Sequence, residues 1–247
     1  MTTLEPAVAE PLLRGRFGRP YLYAEQTETT QRMLGADQPE GAVAVAEEQT
    51  EGRGRMGRRW EAPAGSSLLV STLLHPPPER RAAELTLLAG VAVAVVVERA
   101  TALAAQIKWP NDIMLNRRKV AGVLAELKDG AVVLGIGINV NQRPGELPAD
   151  TKVAAGSLYS VTGRESERGE LLADLLLELE NRYDAWREDG LAVLYEDLGA
   201  RDFLRGRRVT LDGVAGTAQM ITRDGRLAVA TSSGPVVIES GEVVFER

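Results

Sequence analysis

Two hydrophobic patterns share this chain, and they predict different elements. Short runs rich in Val, Ala, Leu and Ile read as strands: Tyr21 to Ala24, Gly41 to Glu47, and Ser66 to Leu74, which ends at Pro76-Pro77-Pro78. Lys119 to Leu127 and Ala131 to Val140 are two more, joined at Asp129-Gly130, a hairpin signal. Gln106 to Leu115 has the strand pattern but is interrupted by Pro110. Glu79 to Ala104 is nearly all apolar and predicts a long helix buried against a sheet. Ser166 to Asp189 sets Leu172, Leu175, Leu176, Leu179, Tyr183 and Trp186 on one side of an amphipathic helix, and Leu191 to Leu204 predicts another. Thr29 or Thr30 can cap a helix reaching about Leu34. Residues 141–165 are polar with Gly and Pro, long enough for a functional loop. Residues 1–16 lack any period and read as a flexible leader.

The pattern changes near Gly206. From there short strands alternate with turns: Arg208–Leu211, Gly216–Thr222, Arg226–Thr231, Pro235–Glu239 and Glu242–Glu246. The expected organisation is a leader over 1–16, an α/β (α+β) domain with a mixed sheet over 17–205, and a small C-terminal β-barrel over 206–247.

Composition narrows the function classes. With 44% apolar and 26% charged residues the chain can build a sizeable core. A net charge of −6 argues against nucleic acid as the main partner, which needs a basic face. There is no cysteine, so thiolate metal sites and cysteine nucleophiles are excluded. The one histidine, His75, precedes three prolines and reads as a solvated loop residue, which leaves no centre for a Ser-His-Asp hydrolase. The apolar run Leu85 to Val97 is too short to span a bilayer, and no secretory signal is visible, so a cytoplasmic protein is expected, with no membrane and no DNA partner. The basic residues are overwhelmingly arginine, with only four lysines, Lys108, Lys119, Lys128 and Lys152.

Chemistry concentrates in three segments. Gly52-Arg53-Gly54-Arg55-Met56-Gly57-Arg58-Arg59-Trp60 formally fits a dinucleotide-binding glycine motif, but that motif must open a helix, and Pro63, Gly65 and a strand follow here. An Arg-Gly RNA-binding segment and a solvated charged hairpin are the plainer alternatives. The functional reading is an anion grip: three glycines let the backbone approach a ligand, and four guanidinium groups repel one another and need carboxylate or phosphate. Such a loop is expected to be mobile without its anion. Lys108-Trp109-Pro110-Asn111-Asp112 is either a strand-ending turn or a site with Asp112 near Mg²⁺ and phosphates and Lys108 as counter-charge. A hairpin after Asp112 can return Lys119 to the same edge. Gly135-Ile136-Gly137-Ile138-Asn139-Val140 is either a tightly packed buried strand or one whose glycines make room for a flat ligand beside Asn139.

Taken together, the segments Glu48–Trp60, Lys108–Asp112, Arg118–Gly122 and Gly135–Val140, in that order, resemble the biotin protein ligase family over roughly residues 20–247. The resemblance implies a catalytic domain like that of class II aminoacyl-tRNA synthetases, an SH3-like C-terminal barrel, and ATP, biotin and Mg²⁺ as ligands. It implies Arg53, Arg55, Arg58 and Lys119 as catalytic residues, Lys119 bridging carboxylate and phosphate. For biotin it implies Gln49, Gly52, Arg53, Gly54 and Arg55, with Trp60 supporting a closed loop and Gly122 and Gly137 shaping the pocket. For ATP it implies Arg55, Arg58, Trp60, Lys108, Asn111, Lys119 and Asn139, with Asp112 at the metal. The family's Ser-Thr-Asn at the biotin ring stands here as Thr29-Thr30-Gln31, one methylene longer at the amide.

The implied reaction is ATP-dependent formation of biotinyl-5′-AMP and transfer to a lysine of a biotin carboxyl carrier protein, as in acetyl-CoA carboxylase. The absence of a helix-turn-helix pattern ahead of the main domain suggests the monofunctional type, as a monomer or weak homodimer. The rival readings are a lipoate or octanoate ligase or transferase of the same fold, and a non-catalytic biotin- or RNA-binding module.

Overall fold

A computed structural model describes residues 3–149 and 151–246. Seven strands form the main sheet, in the order β1 (Tyr21–Thr27), β2 (Val43–Gln49), β3 (Ser67–Leu74), β7 (Ala131–Asn139), β6 (Arg118–Lys128), β5 (Asp112–Leu115) and β4 (Ala105–Lys108). Only β1 and β2 are parallel, so the sheet is mixed, as expected.

The two faces of this sheet have different fates, and the period-two alternation of β7 shows why. Val132, Leu134, Ile136 and Ile138 point into the main core, beneath two helices. Those helices are α2 (Glu84–Thr101), apolar all round, and α4 (Arg168–Asp189), which buries Leu172, Leu175, Leu179, Tyr183 and Trp186. On the other face Ala131 and Val133 join a small cluster with Leu34, Ala42, Ala44 and Leu73. Past that cluster the same face carries Gly135, Gly137 and Asn139, and a cavity opens there.

Several elements differ from expectation. The expected helix 79–104 is shorter, because residues after the prolines form turns and Ala102 adopts a left-handed conformation (φ 58°) that ends α2. The expected helix 191–204 is a 3-10 turn, Gly190–Leu194, followed by the short α5 (Tyr195–Ala200). Gln106–Leu115 is a hairpin, not one strand: the chain reverses at the cis peptide Trp109–Pro110, and β4 and β5 pair antiparallel. Residues 30–33 form a 3-10 helix with no side-chain cap from Thr29. Within the expected loop 141–165, α3 (Leu158–Thr162) is capped by Ser157.

The leader is corrected too; residues 1 and 2 lie outside the described residues. Residues 3–16 are packed, with a short helix α1 (Pro6–Ala9) and Leu4 wholly buried. The Leu4 N–H donates to Glu47 Oε1 (2.7 Å), and Tyr21 Oη donates to the Leu4 carbonyl (2.7 Å). Glu47 in turn is paired with the buried Arg168 (2.7 Å). A four-residue helix shows no sequence period, so its anchoring by long-range partners is invisible in the sequence.

After Asp202 a second sheet of five antiparallel strands forms, in the order β11 (Gly234–Ile238), β10 (Leu227–Thr231), β9 (Val214–Ile221), β8 (Arg208–Leu211) and β12 (Val244–Phe245). Its apolar side, including Val209, Leu227 and Val229, is continuous with the main core. Trp109 Nε1 donates to the Gly225 carbonyl across the junction (2.9 Å). β12 is the piece that matters for chemistry, because it brings residues 242–245 to the cavity. No helix among the described residues is long and apolar enough to cross a membrane.

Candidate active site

The cavity lies on the open sheet face, under the arginine-glycine flap. Its floor depends on the absence of side chains. Gly122 on β6 pairs with Gly137 on β7, and the Trp60 ring rests on both. A methyl group on Gly137 would sit 2.6 Å from Trp60 Cε2, and one on Gly122 would sit 3.2 Å from Cζ3. No side chain fits under the indole at Gly137.

The flap is a hairpin. The Trp60 N–H donates to the Gly52 carbonyl (2.9 Å), and Arg53 and Arg59 bridge as an antiparallel pair. Gly52 closes this hairpin, with the Trp60 carbonyl 2.3 Å from where its Cβ would be; it is not part of the cavity wall. Gly54 is, together with Arg53, Arg55 and Arg58.

Protein acceptors hold the guanidinium groups of the flap. Arg53 meets Glu126 (3.3 Å), Arg55 donates to Asn111 Oδ1 (3.4 Å), and Arg58 donates to Glu242 Oε1 (2.9 Å). Arg59 donates to the Thr50 carbonyl (2.7 Å). The acceptors lie between 9 and 184 positions away in sequence, so pattern reading could not supply them. Burial pushes the Arg55 guanidinium below its ordinary range, with Asp112 opposing the shift.

One end of the cavity is cationic. The β5–β6 hairpin returns Lys119 to Asp112, as expected, with Nζ 2.5 Å from Oδ1. Lys108 Nζ lies 3.7 Å from the other carboxylate oxygen. Burial holds the Lys108 ammonium below its usual range, partly offset by Asp112. The Lys119 ammonium also faces the Trp60 ring, 5.6 Å from its centre, and Lys108 faces Phe245 at 6.0 Å.

The metal role expected for Asp112 does not fit these surroundings. Its carboxylate is buried between two ammonium groups, and no cluster of three metal-binding side chains occurs among the described residues. A hard divalent cation takes several oxygen ligands and is repelled by adjacent ammonium groups. Asn139, expected at the nucleotide, lines the cavity but spends its amide on the chain itself. Its Nδ2 donates to the Gly156 carbonyl (2.9 Å) and its Oδ1 accepts from Gln142 Nε2 (2.9 Å), which anchors the loop after β7. Asn111 likewise donates to the Val123 carbonyl (3.0 Å).

The opposite end is neutral. Thr30 donates to Gln49 Oε1 from its backbone N–H (2.8 Å) and its hydroxyl (3.1 Å), and shares a hydrogen bond with Ser71 (2.8 Å). Thr29 and Gln31 line the same end.

Several wall residues had no local sequence signal. Ser71 is one of two serines in the largely apolar β3. Glu242 and Phe245 arrive from the second sheet, and Lys152 from the loop after β7, where it donates to Glu242 Oε2 (2.9 Å). The Lys152 bond, with Arg58 nearby, holds the Glu242 carboxyl below its usual range.

A cleft with a cationic end, a neutral amide–hydroxyl end and an arginine flap suits a ligand with an anionic tail and an uncharged polar head. Comparison with known proteins fits that class. Residues 23–142 match the model of the biotin/lipoate A/B protein ligase family. The bifunctional ligase/repressor BirA of Bacillus subtilis is 36% identical, with 92% of this chain and 74% of that protein aligned. The biotin–[acetyl-CoA-carboxylase] ligase of Mycobacterium tuberculosis is 37% identical, covering 84% of this chain and 80% of its own length. Among solved structures, biotin protein ligase from Aquifex aeolicus in complex with biotin and ATP superposes with a TM-score of 0.84 and 32% identity, over 92% of this chain and 98% of that one. The chain belongs to the biotin/lipoate A/B protein ligase family. Within it, the Mycobacterium tuberculosis and Aquifex aeolicus proteins just described are biotin ligases, and the Bacillus subtilis protein is a bifunctional ligase/repressor.

Proposed function

We propose that this enzyme activates the carboxylate of biotin with ATP, retains biotinyl-5′-AMP, and transfers the biotinyl group to a lysine of a biotin carboxyl carrier protein. The observation that carries this reading is the two-ended cavity. Biotin has an anionic carboxylate at one end and a neutral cyclic urea at the other. The lysine–arginine end matches the first, and the Thr30–Gln49–Ser71 end matches the second.

In the first step a carboxylate oxygen forms a bond to the α-phosphorus of ATP, and the bond to the bridging oxygen breaks to release pyrophosphate. Two anions must meet, so the barrier falls where fixed positive charge already points. Lys119, Arg55 and Arg58 supply that charge. Asp112 holds Lys119 in place, an arrangement that costs little reorganisation when the anions arrive. The flap then covers the mixed anhydride and keeps water from it. In the second step the acceptor lysine's amine attacks the acyl carbon, AMP leaves, and the amine loses a proton as the amide forms. No nucleophile from this enzyme is consumed.

The same reading takes the main domain as class II synthetase-like and the second sheet as an SH3-like barrel whose last strand completes the nucleotide end. It places the protein in the cytoplasm, with the carrier protein as its partner. The test is ATP–pyrophosphate exchange with biotin or lipoate, followed by transfer to a carrier domain. Exchange that requires biotin, with label appearing on the carrier lysine, is expected. Exchange driven by lipoate alone, or none with either acid, overturns the reading.

A further inference from the structure

The neutral end of the cavity has a wall that depends on a pair of residues. Two rows of residues run across the strands on the open face. The first is Leu69–Gly137–Gly122, under Trp60. The second, two residues along each strand, is Ser71–Gly135–Leu124. Strand rise separates the rows by about 7 Å. Beyond the second row Leu73 and Val133 belong to the small apolar cluster, so the floor ends there.

The 3-10 helix Thr30–Met33 stands on this second row. Thr30 bonds Ser71. Gln31 lies across Gly135 and its Nε2 donates to the Leu124 carbonyl on the next strand (3.3 Å). Gln31 is only 6% exposed, although it lines the cavity. A methyl group on Gly135 would lie 3.1 Å from both Cδ and Nε2 of Gln31. The glutamine therefore fills the space that a side chain at 135 would take. Swinging it aside would strand a buried amide, which fixes it as a wall.

We propose that Gln31, seated on Gly135, is the specificity-determining residue of the neutral end: it sets how long a ligand head the cavity admits. The inference rests on the proposed function and adds a size limit to it. The bare bicyclic ring of biotin fits, and a head enlarged on its urea edge is rejected. A shorter side chain at 31 opens the wall by about one methylene. Pockets discriminate one methylene by roughly 10- to 200-fold in kcat/KM.

The experiment measures kcat/KM in ATP–pyrophosphate exchange for biotin and for biotin methylated on a urea nitrogen. It compares the unaltered chain with Gln31→Asn, Gly135→Ala and the double variant. Gln31→Asn is expected to lower the preference for biotin over the methylated acid by about tenfold or more. Gly135→Ala alone is expected to lower biotin kcat/KM by about tenfold, and by under about threefold in the Gln31→Asn background, where the methyl enters vacated space. Gln31→Ala is a second enlarging variant should the first fold poorly, and thermal melts report folding for each. An unchanged preference in the enlarged variants, or an equal cost of Gly135→Ala in both backgrounds, overturns the proposal. Failure of the functional reading looks different: the unaltered chain would then show no biotin-dependent exchange.

Discussion

Arg58 of the flap and Glu242 of the second sheet are joined by a 2.9 Å hydrogen bond, and Lys152 holds the same carboxylate from the other side. One glutamate thus fastens three separate segments over the cavity mouth. Partly exposed ion pairs contribute little, so Glu242→Gln is expected to speed adenylate loss by about two- to fivefold. Release of labelled biotinyl-AMP from the two proteins measures this; no difference would separate the second sheet from flap closure.

The latch has a defined response to pH. Its carboxyl is held below the ordinary range, first by the Lys152 bond and then by Arg58. A depressed folded-state value means stabilisation that is complete above the unfolded value and lost as pH falls through the folded one. The Glu242→Gln effect on release is therefore expected to be the same at about pH 8 and about pH 5, above the usual glutamate value of about 4.3. An effect that vanishes by about pH 5 would show that the carboxylate titrates above its ordinary range instead of below it.

Lys119 sits 2.5 Å from Asp112, already aimed at the cationic end. Replacing it by alanine is expected to lower the adenylation rate by about 10²-fold, the scale of losing one preorganised charge contact. Arg55→Gly is expected to act on a different step, by opening the flap next to Asn111. Its signature is faster escape of the adenylate and less selective labelling of bystander proteins. Single-turnover formation and release, measured separately, distinguish the two variants.

Arg168 is 2% exposed and its partner Glu47 ties down the N-terminal segment as well as β2. Removing one member of a buried pair leaves the other uncompensated, at about 3–5 kcal/mol. Arg168→Met is expected to lose roughly that much in urea unfolding, and to expose residues 3–16 to protease. A loss under about 1 kcal/mol would mean that the pair is not a structural anchor.

Much of the fold was legible because its signals are local. The alternation in β7 identified a strand, and the spacing from Asp112 to Lys119 identified the hairpin that joins them. The arginine flap and the glycine floor were legible for the same reason: glycine and arginine have few plain uses at such density. What stayed hidden depends on contacts between distant residues. Nothing around Glu242 marks it as the partner of Arg58, and Asn139 looks the same in sequence whether its amide faces a ligand or Gly156. The buried leader was missed because Leu4 and Ala9 find their neighbours only after α4 and β1 are in place.

The seating of Trp60 on Gly122 and Gly137 gives the enzyme a built-in optical probe. The chain has three tryptophans, and the other two, Trp109 and Trp186, are sealed in the interior with their ring nitrogens bonded to Gly225 and Glu84. Trp60 alone of the three lines the cavity, so a fluorescence change on substrate entry that is lost in Trp60→Phe reports the movement of the flap without any attached dye.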